Sequence, residues 1–255
     1  MDNEANLSDD NSNQPSTYNT LNVIGSGGYG TVFKIEIPST KQLYALKVCN
    51  IDGLTDKEKQ SILNETQNLI KVRSEFVIQY YYSWIAGTDL CIQMELCFES
   101  LKKFLAHKRN LFKRNLGDPI SSFELYMSYH AFGQLIECVK YMHDNNLIHR
   151  DLKPDNVLIA INDRGYSERY VKLCDFGVSK HVLDKCDPHK MSVVENTSDV
   201  AIGEYQAPEA MGNDYNYKID IFSLAMIGAD IFEFDKKCLK LGRYQSVMVN
   251  VRNIK

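Results

Sequence analysis

His149-Arg150-Asp151-Leu152-Lys153-Pro154-Asp155-Asn156 is the stretch on which the reading of this chain turns. Asp175-Phe176-Gly177 follows 24 residues after Asp151, and Ala207-Pro208-Glu209 lies beyond it. Upstream stands Ala45-Leu46-Lys47 on a strand-like segment. Before that comes Gly25-Ser26-Gly27-Gly28-Tyr29-Gly30-Thr31-Val32. Glycines let backbone amides approach a phosphate without side-chain obstruction. A dinucleotide fold needs a helix after the last glycine. Here Thr31 to Ile37 is strand-like, so a hairpin over a nucleotide fits better, with an ordinary Gly-rich hairpin as the plain alternative. A lysine facing a nucleotide can pair with its α- and β-phosphates, and needs an acid to hold it. Glu65 is placed for that on a helix whose start is marked by the capping box Thr55/Glu58.

Each short string is common alone; five in this order are not. Together they resemble the protein kinase signature set, from about Tyr18 to the C-terminus. The resemblance implies an α+β, bilobal kinase fold with a small β-rich N-lobe carrying one key helix and a mainly helical C-lobe. It divides the chain into an acidic N-terminal arm (1–17), an N-lobe (18–96) and a C-lobe (97–255).

ATP and Mg2+ are the implied cofactors. The backbone of Gly25, Ser26, Gly27, Gly28, Tyr29 and Gly30 would cover the phosphates, Ile24 would belong to the same nucleotide site, and Lys47, held by Glu65, would orient the phosphates. Asn156 and Asp175 would hold magnesium, Asp151 would take the substrate hydroxyl proton, and Lys153 would neutralise the transferred group. A lysine at that place resembles serine/threonine kinases. Adenine would lie between Val32 and Ala45 on one side and Leu158 on the other. Its edge would reach the backbone of Glu95 and Cys97, with Met94 guarding the back pocket. Plain core packing is the other reading of these apolar positions. Arg150 would await a phosphate on Ser192, Thr197 or Ser198, Thr197 being favoured.

Element signals agree with this division. Leu21–Gly25, Thr31–Ile37 and Tyr44–Asn50 carry β-branched or aromatic residues broken by Gly or Pro. Beyond Glu95 the pattern turns helical: Ser100 could cap a helix through His107. Ser122 could cap one through His143 with Leu125, Phe132, Leu135, Ile136 and Val139 on one side. Ile219 to Phe232, interrupted by Asp220 and Asp230, reads as a buried core helix, too short for a bilayer span of roughly 20 residues.

Composition excludes little else. A net charge of −4 gives no global pull towards nucleic acid or an anionic membrane. The seven cysteines are scattered without a C-x-x-C pair, so they read as reduced thiols of a cytoplasmic or nuclear protein. No direct nucleic-acid or membrane partner is expected. The arm before Tyr18, rich in Asn, Asp and Ser, is expected to be disordered.

Narrower strings resemble the kinases of the translation initiation factor two α subunit. They are Tyr82-Ser83-Trp84, Ile92 to Cys97, Tyr217 to Leu224 and Val251-Arg252-Asn253-Ile254. That resemblance implies this α subunit as the substrate, translational control in stress, and a homodimer formed through the N-lobe. Two features depart from the family pattern. Ile202 stands where a threonine hydroxyl normally bridges Asp151 and Lys153, a bond worth about 0.5–1.5 kcal/mol. Only 46 residues follow Glu209, so the last helices are expected to be missing and apolar surface exposed on the helix after Asp220. The alternative function is a nucleotide-binding pseudokinase or inactive fragment acting as a regulator.

Overall fold

The computed structural model describes residues 17–27, 30–55, 59, 69–115, 118–160, 169–176, 180–181, 203–211 and 216–237. They fall into two compact units, the first drawn from residues before 60 and from Gln79–Leu96, the second from the rest.

The first unit is one antiparallel sheet of β1 (Asn19–Gly27), β2 (Gly30–Glu36), β3 (Leu43–Asn50), β4 (Tyr80–Ala86) and β5 (Asp89–Glu95), ordered β1-β2-β3-β5-β4. The three strands read from sequence are all present, shifted by a residue or two at their ends. β5 lies inside the sheet and buries five consecutive residues, so it reads as an apolar run and not as an alternation. Ile35, Leu46 and Cys91 form a core ringed by Phe33, Tyr44, Val48 and Trp84. Full burial of one such aliphatic side chain stabilises by about 1.5–3 kcal/mol.

The second unit is mainly helical. Its elements are β6 (Cys97–Ser100), α1 (Leu101–Leu111), α2 (Ser122–Asp144), β7 (Leu147–Ile148), β8 (Val157–Ala160), β9 (Val171–Leu173), β10 (Lys180–His181) and α3 (Lys218–Ile231). β6, β8 and β9 make a small antiparallel sheet, and β7 pairs with β10. An α+β organisation, sheet first and helices after, is therefore what the chain has. Residues 69–78 group with this second unit, although the sequence division placed them with the first. Backbone pairing is the reason: Ile78 N–H donates to Leu173 C=O at 2.9 Å, and Leu173 N–H to Phe76 C=O at 3.0 Å.

Ser100 caps α1 as expected, its Oγ accepting from Lys103 N–H at 3.4 Å, and the helix runs on to Leu111. α2 is capped one residue earlier than the sequence reading had it. Ser121 Oγ accepts from Glu124 N–H at 3.1 Å, leaving Ser122 as the first helical residue. Its buried side holds Leu135, Cys138, Val139 and Met142, while Ile136 points to solvent. Residue 136 stands one step, about 100°, from Leu135, enough to turn it off the core face.

α3 is the buried helix expected, with Ile221 as its exposed large apolar residue. Ile219, Leu224, Met226, Ile227 and Ile231 are all buried. A Cβ added at Gly228 would come within 2.9 Å of the Phe132 ring, so glycine there permits close packing of α3 on α2. On α2 three aromatic residues are exposed, Phe123, Tyr126 and Tyr129. No described helix is long and apolar enough to cross a membrane.

Candidate active site

The loop from His149 to Asn156 joins β7 to β8, and a buried acid from a distant helix holds its backbone. Asp220 on α3 is 1% exposed. Its Oδ2 accepts His149 N–H at 2.9 Å and its Oδ1 accepts Arg150 N–H at 2.9 Å. His143, in the last turn of α2, donates Nε2–H to Oδ2 at 2.9 Å. Three donors on one carboxylate offset its burial. They also hold Arg150 at φ 71°, a conformation that non-glycine residues seldom adopt.

Downstream, the turn Pro154–Asn156 folds the loop back on itself. Lys153 Nζ donates to Asp151 Oδ2 at 2.6 Å. Buried Asn156 donates Nδ2–H to both the Asp151 carbonyl, at 2.8 Å, and Asp151 Oδ2, at 3.1 Å. Burial alone would pull the Lys153 ammonium down. The Asp151 hydrogen bond, with the charges of Asp151, Asp175 and Asp155, more than reverses this and holds it above the ordinary lysine value. Lys153 therefore stays cationic beside Asp151.

Asp175 is tied to the same cluster through its neighbour. Cys174 N–H donates to Asn156 C=O at 3.0 Å, and His149 Nε2–H donates to Cys174 C=O at 3.1 Å. Asp175 itself sits at φ 64°. Phe176 is fully buried with its ring against His149, centroids 5.3 Å apart. Asp151, Lys153, Asn156 and Asp175 are thus brought together, as the kinase resemblance implied. Leu158 lies just beyond, in β8 opposite Ser100, and Cys97 in β6 opposite Ala160.

The remaining candidates lie in the first unit. Gly25, Ser26 and Gly27 of β1 stand opposite Val32, Thr31 and Gly30 of β2, with Ile24 in the same strand. Lys47 in β3 is flanked by Val32 on one side and Ile92 on the other. Ala45 and Met94 are a buried cross-strand pair. Glu95 gives its N–H to Gln79 C=O at 2.8 Å and accepts Gln79 N–H on Oε2 at 3.1 Å. Gly28, Tyr29, Glu65, Ser192, Thr197, Ser198 and Ile202 lie outside the described residues.

The sequence reading assigned no role to Asp220 or His143, and only a family match to His149. The signal for Asp220 was an acid inside an apolar run. The helix shows why it is tolerated: its partners are backbone donors about 70 residues away.

The donor set suits the cofactors implied. A Cβ at Gly27 would meet nothing within 4 Å, so that stretch of backbone faces open space, as a phosphate cover requires. Among the described residues no three His, Cys, Asp or Glu form a metal cage. One carboxylate and one carboxamide, Asp175 and Asn156, match Mg2+, which keeps waters and takes further oxygens from phosphates.

The protein kinase domain model matches residues 18–253. Serine/threonine-protein kinase nekl-2 of Caenorhabditis elegans is 28% identical over 225 residues, 86% of this chain and 58% of that protein. MAP kinase kinase MKK1/SSP32 of Saccharomyces cerevisiae is 29% identical over 212 residues, 81% of this chain and 37% of that protein. Serine/threonine-protein kinase KIC1 of the same yeast is 31% identical over 219 residues, 85% of this chain and 18% of that protein. The chain spans less than two thirds of the length of each. A match over nearly the whole chain, falling on a loop whose acid, lysine and asparagine are already in contact, has one reading: the chain belongs to the protein kinase domain family.

Proposed function

We propose that the protein transfers the γ-phosphoryl group of ATP to a serine or threonine hydroxyl of another protein. One observation carries this: Lys153 and Asn156 both reach Asp151 Oδ2, at 2.6 and 3.1 Å. Asp151 is thereby fixed, placed to accept the substrate hydroxyl proton as the substrate oxygen bonds to the γ-phosphorus and the bond to ADP breaks. Such proton transfer contributes about 10²- to 10⁴-fold. Lys153 meets the charge on the moving phosphoryl group. Magnesium, when bound through Asp175 and Asn156, would neutralise the phosphate oxygens.

The α subunit of translation initiation factor two is the proposed substrate, and translational control in stress the proposed role. The strings around Tyr82, Ile92, Tyr217 and Val251 support both. None of the three relatives above is named for that substrate. A homodimer through the first unit belongs to the same proposal, supported by exposed Leu21, Val23 and Ile85 on its outer strands. Free thiols at Cys49, Cys91, Cys97, Cys138 and Cys174 support a reducing, cytoplasmic location.

The test is incubation with labelled Mg-ATP, the α subunit and generic protein substrates, beside Asp151→Asn. Label on the α subunit that falls at least 100-fold in Asp151→Asn is the expected result. Label on generic substrates alone keeps the kinase and removes the α subunit. No transfer to any substrate, with ATP still bound, moves the reading to a pseudokinase.

A further inference from the structure

A cavity of about 320 Å³ lies within the second unit, between α1, α2 and β8. Protein interiors are packed to crystal density with few voids larger than a water. A space of this size is at the lower end of small-molecule pockets, about 300–1,000 Å³. Its walls are apolar, from Phe104, Phe112, Met127, Leu135 and Ile159, with exposed Phe98 at the rim.

Two of its polar groups satisfy each other. Lys108 Nζ lies 3.1 Å from Glu124 Oε1 and donates to Ile231 C=O at 2.6 Å. Glu99 differs. Its Oε1 is buried and accepts no hydrogen bond among the described residues, with Nε2 of the partly exposed His107 ring 3.4 Å away. A buried carboxylate oxygen without a donor is costly, and a donor on a ligand would remove that cost.

We propose that this cavity is a binding site for a hydrophobic amine, its apolar body against the aromatic walls and its ammonium on Glu99. The site is separate from the Asp151 cluster and goes beyond the kinase reading. Anionic amphiphiles are disfavoured, because Lys108 is already engaged by Glu124 and the group in the lining left without a hydrogen bond is the acid Glu99. A decyl chain supplies the apolar body, and each methylene buried adds affinity.

Isothermal titration of the whole chain with decylamine, below its micellar concentration, tests this beside decanol and decanoate. The expected result is saturable one-to-one binding of decylamine, at least tenfold weaker in Glu99→Gln, with decanoate not binding. Ala131→Phe, which fills the cavity from α2, should abolish decylamine binding while keeping a cooperative melt. If Ala131→Phe fails to fold, Glu99→Gln decides alone. Absence of saturable binding, equal affinity for decylamine and decanoate, or no effect of Glu99→Gln would overturn the proposal.

Discussion

Tyr205 shows how one side chain can carry a measurable signature. Its hydroxyl donates to Asp230 Oδ2 at 2.6 Å and accepts from Lys236 Nζ at 3.1 Å, with that ammonium also over its ring. Burial first, then the Asp230 bond, push the phenol up to about 12. An unfolded tyrosine ionises near about 10, so the folded state holds a proton that the unfolded state releases between these values. The stabilisation is complete below about pH 10 and is lost as pH rises towards 12. A spectrophotometric phenol titration should lose its latest-ionising step in Tyr205→Phe; an unchanged late step would refute the assignment. Gly30 is a second case. At φ 148°, a Cβ there would lie 2.2 Å from Val48 C=O, whereas at Gly27 it would meet nothing. Gly30→Ala should therefore cost about 1–3 kcal/mol, read as a lowered Tm. Gly27→Ala should stay within about 0.5 kcal/mol. Equal melts for the two would show that backbone approach at Gly30 imposes no constraint.

At the scale of elements, α3 works as the post to which the catalytic loop is fastened. Asp220 receives two backbone N–H groups and the His143 ring, joining α3 to the loop after β7 and to the end of α2. Asp220→Ala leaves these donors without an acceptor, each such loss costing about 1–3 kcal/mol when buried. Loss of stability should come with a fall in phosphoryl transfer, because Arg150 precedes Asp151 and loses its hold. A denaturant midpoint that drops while turnover per folded molecule stays at the wild-type value would separate the anchor from the chemistry and refute the link. Caps tell a related story. Ser100 and Ser121 begin α1 and α2 by accepting N–H groups three residues on, a local interaction that sequence can announce to within a residue.

Across the molecule, a buried charge network gathers the ends of three helices in the second unit. Glu124, fully buried at the start of α2, accepts Arg114 Nε at 2.9 Å and Nη2 at 3.0 Å, with Lys108 of α1 at 3.1 Å. Arg109 and Arg114 both pair with Glu233 after α3. Burial works against the Glu233 carboxylate, but the two arginines prevail and hold it below the usual range. Glu124→Gln leaves two nearly buried cations facing a neutral amide. Removing one partner of such a pair costs about 3–5 kcal/mol. A urea midpoint lowered accordingly, with unchanged slope, is expected; a shift below about 1 kcal/mol would mean that water reaches the site. Sequence by itself determined what is local: the glycine hairpin, the β3 lysine, the helix caps, and the order His149 to Asn156, in which Asp151, Lys153 and Asn156 meet because one tight turn separates them. Tertiary structure alone decided which charges are buried and paired. Asp220 finds its donors about 70 residues away, Glu124 finds a cation on another helix, and Ile136 misses the core. Burial is a property of three-dimensional neighbours, and no local pattern of residue types contains it.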